Sequence, residues 1–369
     1  MKYTQRLSSF LFMPNATIAQ TLLAWFDQYG RHDLPWQHPR TVYRVWISEI
    51  MLQQTQVVTV IPYFARFMNS FPDIRHLASA SEDNVMQHWS GLGYYARARN
   101  LHKAARHILE NHAGVFPENI DEILALPGIG RSTAAAILAQ AYGQRHAILD
   151  GNVKRVLTRL YAIEGWPGQK TIENQLWVLS ENITPRQRPA DYTQAIMDFG
   201  ATLCRRSQPC CSDCPISDHC QAFQQDQPQR YPSPKPRTSP LPIKTTRMLL
   251  LKDEQGRVLL LKRPPSGIWG SLWSLPECNH DIDIADFCRE RLGIEARGMK
   301  TGKVLRHSFS HFHLDITPIS AHARPADHAV MASDERVWYN SRQPDSHGLP
   351  APVKRLLEPT QDKSNPEQE

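Results

Sequence analysis

Six prolines fall between residues 228 and 242: Pro228, Pro232, Pro234, Pro236, Pro240 and Pro242. Each lacks a backbone N–H and fixes φ near −65°, so the stretch reads as a stiff extended linker that holds neither a helix nor a central strand. It cuts the 369-residue chain into two parts, each long enough to bury a core. The two parts also differ in hydrophobic period. Before the prolines, apolar residues recur at helical steps, as in Ile18-Leu22-Leu23-Phe26, Val57-Val60-Ile61-Phe64 and Ile137-Leu138-Ala141 with Gly143 as a stop. No strand–helix alternation is present there, which argues against a parallel sheet. After the prolines, Met248–Leu251, a turn at Asp253–Gly256 and Val258–Leu261 predict a β-hairpin. Phe287–Leu292 predicts a helix stopped by Gly293, and Phe312–Ile319 alternates like a strand. The expected organisation is a helical domain over 17–226, the linker over 227–243, an α+β domain over 244–358 and a polar, disordered tail over 359–369.

Five of the seven cysteines crowd between Cys204 and Cys220. A disulfide framework would spread them, so crowding points to metal binding. Cys204, Cys211, Cys214 and Cys220 could hold a structural zinc or a [4Fe–4S] cluster. The single C-x2-C pair and the uneven outer spacings lean toward iron–sulfur. Cys210 sits beside Cys211 and could in principle replace it. The formal charge of +6 favours an anionic partner only weakly. No apolar run approaches the ~18 residues of a membrane span. The N-terminal run Phe10–Met13 is stopped by Pro14, too early for a secretory signal, so a cytoplasmic (nucleoid-associated) protein is expected.

Leu126-Pro127-Gly128-Ile129-Gly130-Arg131 has the form of a hairpin between two helices, expected over about 119–143. Its glycines let backbone N–H groups approach a phosphate, and the helix starting near Arg131 offers a favourable dipole. An ordinary interhelical turn would look similar. The segment Tyr94-Tyr95-Ala96-Arg97-Ala98-Arg99 tips the balance toward DNA, since tyrosine can wedge into a base stack and arginine can neutralise phosphate, although a solvated helix face with two core tyrosines would read the same way. Two carboxylates stand out. Glu49 lies in the apolar run Val45–Leu52, where a glutamate more often reaches solvent or pairs with an arginine, but where burial would raise its pKa toward that of a general acid. Asp150 opens Asp150-Gly151-Asn152-Val153, where it can cap a helix and also stabilise a positively charged sugar.

With these motifs in order, the chain from about Leu23 to Leu357 resembles the MutY-type adenine DNA glycosylases of the helix-hairpin-helix superfamily. The carrying stretches are Leu34-Pro35-Trp36, Ser48–Val57, Gly91–Leu101, the Leu126 hairpin, the Asp150 turn, the four cysteines and Phe309-Ser310-His311-Phe312. The resemblance implies a mainly α helix-hairpin-helix glycosylase domain with an iron–sulfur loop over 204–220, joined to an α+β Nudix-like domain. It implies removal of adenine opposite 8-oxoguanine, and more slowly opposite guanine, in double-stranded DNA during base excision repair. Glu49 matches the acid that protonates adenine, Asp150 the carboxylate that stabilises the oxocarbenium ion, and Asn152 a residue that orients the reacting groups. Trp36 and Leu52 match walls of the adenine pocket. Gln54 and Tyr94 match residues that fill the opened stack or press around the oxidised guanine. Gly128, Gly130, Arg131 and Ser132 match the DNA-gripping hairpin. Cys204, Cys211, Cys214 and Cys220 match [4Fe–4S] ligands, leaving Cys210 out. Ser132 stands where the endonuclease III type carries a Schiff-base lysine, so a monofunctional glycosylase is expected.

The second domain resembles Nudix hydrolases with a broken metal site: Arg291 follows Glu290, and Asp286-Phe287 stands where Arg-Glu belongs. It is expected to bind 8-oxoguanine through Phe309, Ser310 and His311, although Phe309 and Phe312 could equally be core residues of a strand end. A monomer without membrane contact is expected, with a sliding clamp or a mismatch-repair protein as partners implied by the resemblance. Three rival activities remain: a lyase acting on oxidised pyrimidines, a mismatch binder without catalysis, and a nucleotide pyrophosphatase.

Overall fold

The computed structural model describes residues 15–236, 240–326, 335–341 and 347–358. The expected tail over 359–369 and the run Phe10–Met13 lie outside them. The chain forms two compact units, residues 1–78 with 103–237, and residues 79–102 with 238–369.

Up to the linker the described elements are helical, in the order α1 (Asn15–Tyr29), α2 (Val42–Leu52), α3 (Val57–Ser70), α4 (Ile74–Ser79), α5 (Glu82–Trp89), α6 (Ala96–Asn111), α7 (Ile120–Ala125), α8 (Arg131–Tyr142), α9 (Gly151–Leu160), α10 (Lys170–Ile183), α11 (Pro189–Thr202) and the short α12 (Gln221–Gln224). Two of the boundaries between the units fall within helices, after Ala78 in α4 and after His102 in α6. Local chemistry sets several ends. The Thr41 hydroxyl accepts from Arg44 N–H to start α2. Gly143, in the left-handed region at φ +67°, stops α8 where the sequence predicted. In the first unit, Ile18, Leu22 and Phe26 of α1 pack with Val153, Val156 and Leu157 of α9 and with Ala195, Ile196 and Phe199 of α11. Gly200 lets α9 and α11 approach there, since a Cβ on it would lie 2.7 Å from the Asn152 Cβ. In the linker, Pro228–Arg230 forms one 3-10 turn, so the stretch is not wholly extended. Proline is tolerated because it opens the turn, where its missing N–H would have no partner.

The second unit carries a mixed sheet built from β1 (Ile243–Lys252), β2 (Val258–Lys262), β3 (Trp273–Ser274), β4 (Glu277–Cys278), β5 (Ile294–Thr301), β6 (Leu305–Ser308), β7 (His313–Pro325) and β8 (Arg336–Tyr339). The main order is β3-β2-β1-β7-β5. β1 and β2 form the predicted hairpin, closing at Lys252 opposite Val258. β7 contains the predicted strand and runs parallel to β1, from Ile243 opposite His313 to Lys252 opposite His322. α13 (Ile284–Phe287) continues as a π-turn over Cys288–Leu292, stopped by Gly293 at φ +65°. Leu249, Leu251, Cys288, Leu292, Ile294 and Ile319 form the core beneath it. α14 (Ala351–Leu357) follows β8.

The same unit includes α5 and the loop after it. Asp83 of α5 binds Lys262 Nζ at 2.9 Å and accepts from Trp273 Nε1 at 3.3 Å. Ser90 donates to the Leu349 carbonyl at 2.7 Å. No helix among the described residues is long and apolar enough to cross a membrane.

Candidate active site

α2 buries Tyr43, Val45, Trp46, Ile47, Ser48, Ile50 and Met51, which leaves Glu49 as the one carboxylate in an apolar helix. Its Oε1 accepts from Gln140 Nε2 at 2.8 Å, and Gln140 is itself buried on α8. Burial pushes the Glu49 carboxyl up to about 7, the Gln140 hydrogen bond opposes that shift, and the charge of Asp150 adds to it.

Asp150 caps α9, as the sequence suggested: Oδ1 accepts from Val153 N–H at 2.8 Å and Oδ2 from Asn152 Nδ2 at 3.0 Å. Burial raises its pKa, while the Val153 and Asn152 hydrogen bonds and the Arg155 charge hold it down. Asn152 Oδ1 in turn accepts from Arg155 Nη2 at 2.8 Å, and Arg155 Nε donates to the Cys204 carbonyl at 2.8 Å. Ser132 Oγ accepts from Leu149 N–H at 3.0 Å, tying down the residue before Asp150.

Glu49, Asp150, Asn152, Trp36, Leu52, Gln54 and Ser132 all line one cavity of about 930 Å³. Trp36 also packs edge-on against Phe64, with 5.5 Å between ring centroids. Gln54 lies beyond the end of α2 at φ +57°, a position rare for a side-chain-bearing residue and often found where function holds the backbone. Sequence reasoning missed the polar edge formed by Arg31 and Gln194. Asp198, fully buried on α11, accepts from Arg31 N–H at 2.8 Å, Arg31 Nε at 2.9 Å and Gln194 Nε2 at 2.7 Å. The signal was available: Asp198 is a lone carboxylate in Ala195–Ala201, the same pattern that singled out Glu49.

The hairpin forms between α7 and α8, with Gly128 at φ +81° and Gly130 as the cap before Arg131. A Cβ on Gly130 would meet nothing within 4 Å, so the turn is open to an approaching group. Arg131, expected to grip DNA, lies 3.9 Å from the Trp177 ring centroid and pairs with the part-exposed Glu181 at 3.1 Å.

Tyr94, Phe309, Ser310 and His311 belong to the second unit. Tyr94 is exposed at φ +49°. Arg97 and Arg99, read from the sequence as phosphate neutralisers, donate to backbone carbonyls of Gly93 and Gly270. Phe312 is buried, Phe309 stacks on it at 4.6 Å and is half-buried, and Ser310 and His311 are exposed at the turn. The core role thus falls to Phe312, while Phe309 spans core and surface.

Cys204, Cys211, Cys214 and Cys220 line one small cavity, together with Cys210. Each of the Cys211, Cys214 and Cys220 thiols is raised by burial and by other cysteines of the group, and Cys214 reaches about 12. The buried Arg159 donates to Cys204 Sγ at 3.3 Å and to the carbonyls of Arg205 and Tyr231, bracing the loop from inside. Among the described residues, no three His, Cys, Asp or Glu side chains are grouped to hold a single metal ion.

Residues 47–182 match the model of the HhH-GPD superfamily of base excision DNA repair proteins, and residues 247–359 match the NUDIX domain. Over 346 residues the chain is 39% identical to the adenine DNA glycosylase of Buchnera aphidicola subsp. Acyrthosiphon pisum (strain APS), covering 94% of this chain and 98% of that one. It is 45% identical over 215 residues to the adenine DNA glycosylase of Mus musculus, covering 56% and 42% of the two chains. Among solved structures, a thermostable thymine-DNA glycosylase matches with a TM-score of 0.51 at 28% identity, over 57% of this chain and 97% of that one. A non-covalent endonuclease III–DNA complex matches with a TM-score of 0.50 at 20% identity, over 58% and 99%, which bears on the fold alone.

Proposed function

The chain belongs to the adenine DNA glycosylase family, with a helical glycosylase domain of the endonuclease III type and a Nudix-like second domain, and from that premise we propose that it excises adenine paired with 8-oxoguanine, and more slowly with guanine, leaving an abasic site. The observation that carries this reading is the pairing of Glu49 and Asp150 on one cavity, with Glu49 able to keep its proton near neutral pH.

Flipping the nucleotide out of the duplex costs a few kcal/mol and less at a mismatch. Trp36 and Leu52 flank the extruded adenine. Protonated Glu49 delivers its proton to N7, which makes the base a neutral leaving group. As the N-glycosidic bond lengthens, positive charge grows on the sugar. The Asp150 carboxylate, oriented by Val153 N–H and Asn152, supports that charge. Water then adds to the cation, and Glu49, now a carboxylate, accepts its proton.

Ser132 has no amine with which to form an imine, and its hydroxyl is engaged by Leu149 N–H, both of which support a monofunctional enzyme. Cys204, Cys211, Cys214 and Cys220, which converge on one small cavity, are the residues that would hold a [4Fe–4S] cluster. Such a cluster would supply four iron–thiolate bonds that cross-link the 204–220 loop. The exposed Ser310–His311 turn beside Phe309 is the candidate contact for 8-oxoguanine.

Single-turnover cleavage of duplexes with adenine opposite 8-oxoguanine, guanine or thymine, read after alkali, tests the reading. Fast, slow and no cleavage in that order is expected. No cleavage of any duplex by cluster-loaded protein, or a covalent adduct trapped by borohydride, would overturn it.

A further inference from the structure

Tyr94 and Phe309 lie far apart in the chain but in the same compact unit. Tyr94 stands on a loop that its neighbours hold closely. Trp89 Nε1 and Arg97 Nη2 both donate to the Gly93 carbonyl, at 3.2 and 3.1 Å. Gly91 N–H donates to the Tyr95 hydroxyl at 3.2 Å, and the Arg97 guanidinium lies 5.4 Å from the Tyr94 ring centroid. The loop is therefore built as one piece with the start of α6.

From α6, Arg99 Nη1 donates to the Gly270 carbonyl at 2.7 Å. That carbonyl lies in a tightly packed turn. Its neighbours Trp269 and Ser271 sit at φ +54° and +62°, and a Cβ on Gly270 would lie 2.5 Å from the Pro265 carbonyl oxygen. The buried Trp269 ring packs against Phe309 at 5.4 Å and His307 at 5.5 Å between centroids. Burial lowers the pKa of the Arg99 guanidinium, with the Glu82 charge opposing that shift. A partly desolvated cation held on a neutral carbonyl is a costly joint where packing alone would serve an apolar side chain. A joint of this kind makes physical sense where direction and distance matter more than stability.

We propose that Arg99 is a positioning residue that locks the Tyr94 loop to the Phe309 loop, through the Gly270 carbonyl and the Trp269 ring, so that both meet one base pair in fixed register. The inference rests on the reading of Tyr94 and Phe309 as DNA-facing. It adds that discrimination of the opposite base depends on a residue that touches no DNA.

The test is a double-mutant cycle on the full chain with its cluster loaded. Arg99→Met, Phe309→Ala and the double variant are compared with the unaltered chain in single-turnover cleavage. The readout is the ratio of rates for adenine opposite 8-oxoguanine and opposite guanine. Arg99→Met and Phe309→Ala should each lower the ratio roughly 10-fold, the scale of one charge-assisted hydrogen bond, and the double variant should lower it no further. Arg99→Lys, which keeps one donor for Gly270, should recover most of it. Should Arg99→Met fold poorly, Arg99→Gln gives the same comparison. An unchanged ratio in the Arg99 variants, equal losses on both duplexes, or multiplicative effects in the double variant would each overturn the coupling. A Phe309→Ala ratio that does not change would instead strike at the assignment of Phe309 itself.

Discussion

Glu49→Gln should abolish adenine removal and at the same time stabilise the protein, by an amount that depends on pH. The glutamine keeps the shape and can still hydrogen-bond Gln140, but it has no proton to give. Loss of a general acid of this kind costs about 10²–10⁴-fold in rate. The stability effect follows from the carboxyl being raised from 4.5 to about 7. Below pH 4.5 the group is neutral both folded and unfolded, so its burial carries no charge penalty. Between pH 4.5 and 7 the unfolded chain ionises it while the folded chain keeps it protonated, so stability falls as pH rises. Above pH 7 both states are ionised and the full difference, roughly 3 kcal/mol, is lost. Glutamine escapes that loss. The variant should melt with the unaltered chain near pH 4.5 and about 6–12 °C above it at pH 8, taking ~2–4 °C per kcal/mol for a unit of this size. Melting curves at matched cluster content, from pH 4.5 to 8, provide the measurement. A melting difference that does not vary with pH would refute the idea that burial holds the proton, and retained cleavage would remove Glu49 as the acid.

Asp198→Asn takes the buried counter-charge away from the part-exposed Arg31, so it should cost about 1.5–3 kcal/mol and slow adenine removal, as read by melting and by single-turnover rate. Unchanged melting would show that the pair does not matter to the fold. Cys214→Ser should lower iron content and melting temperature together, and full iron content in the pure variant would exclude that cysteine as a ligand. Ending the chain within the proline linker should reduce discrimination between 8-oxoguanine and guanine. It should also destabilise residues 79–102, because Asp83 loses Lys262 and Trp273 and Ser90 loses the Leu349 carbonyl. Protease cleavage within 79–102 that is no faster than in the full chain would contradict the second part.

Local signals in the sequence carried the elements whose causes are local. The Ile18–Phe26 helix, the β1–β2 hairpin and the Gly143 and Gly293 stops each follow from period or turn chemistry within a few residues. The parallel pairing of β1 with β7 had no such signal, since it joins segments that lie far apart in the chain. Nor did the packing of α5 against Lys262 and Trp273, because Asp83 is indistinguishable in sequence from any exposed acidic residue of a first helical turn. Arg131 and Arg99 make the same point from the opposite side. A sequence shows that an arginine is present, but its partner is fixed only when Glu181 or the Gly270 carbonyl arrives in space.

The two carboxylates illustrate how one cavity can hold an acid and an anion side by side. Both are pushed up by burial, so burial alone would give two neutral groups or two of uncertain charge. Their hydrogen bonds separate them. Asp150 receives a backbone N–H from Val153 and the Asn152 amide, and it feels the Arg155 charge, all of which favour its ionised form. Glu49 has the single Gln140 donor, and the charge on Asp150 works against its ionisation. Ionising Asp150 therefore helps Glu49 to keep its proton, and the two roles proposed for catalysis are mutually reinforcing. The coupling gives Asn152 and Arg155 an indirect effect on the acid. Weakening either should let Asp150 hold its proton to higher pH and let Glu49 lose its own at lower pH. The pH–rate profile of Asn152→Ala should accordingly be narrower than that of the unaltered chain, as well as lower. A profile that is only lower, with the same limbs, would mean that Asn152 orients Asp150 without tuning its charge.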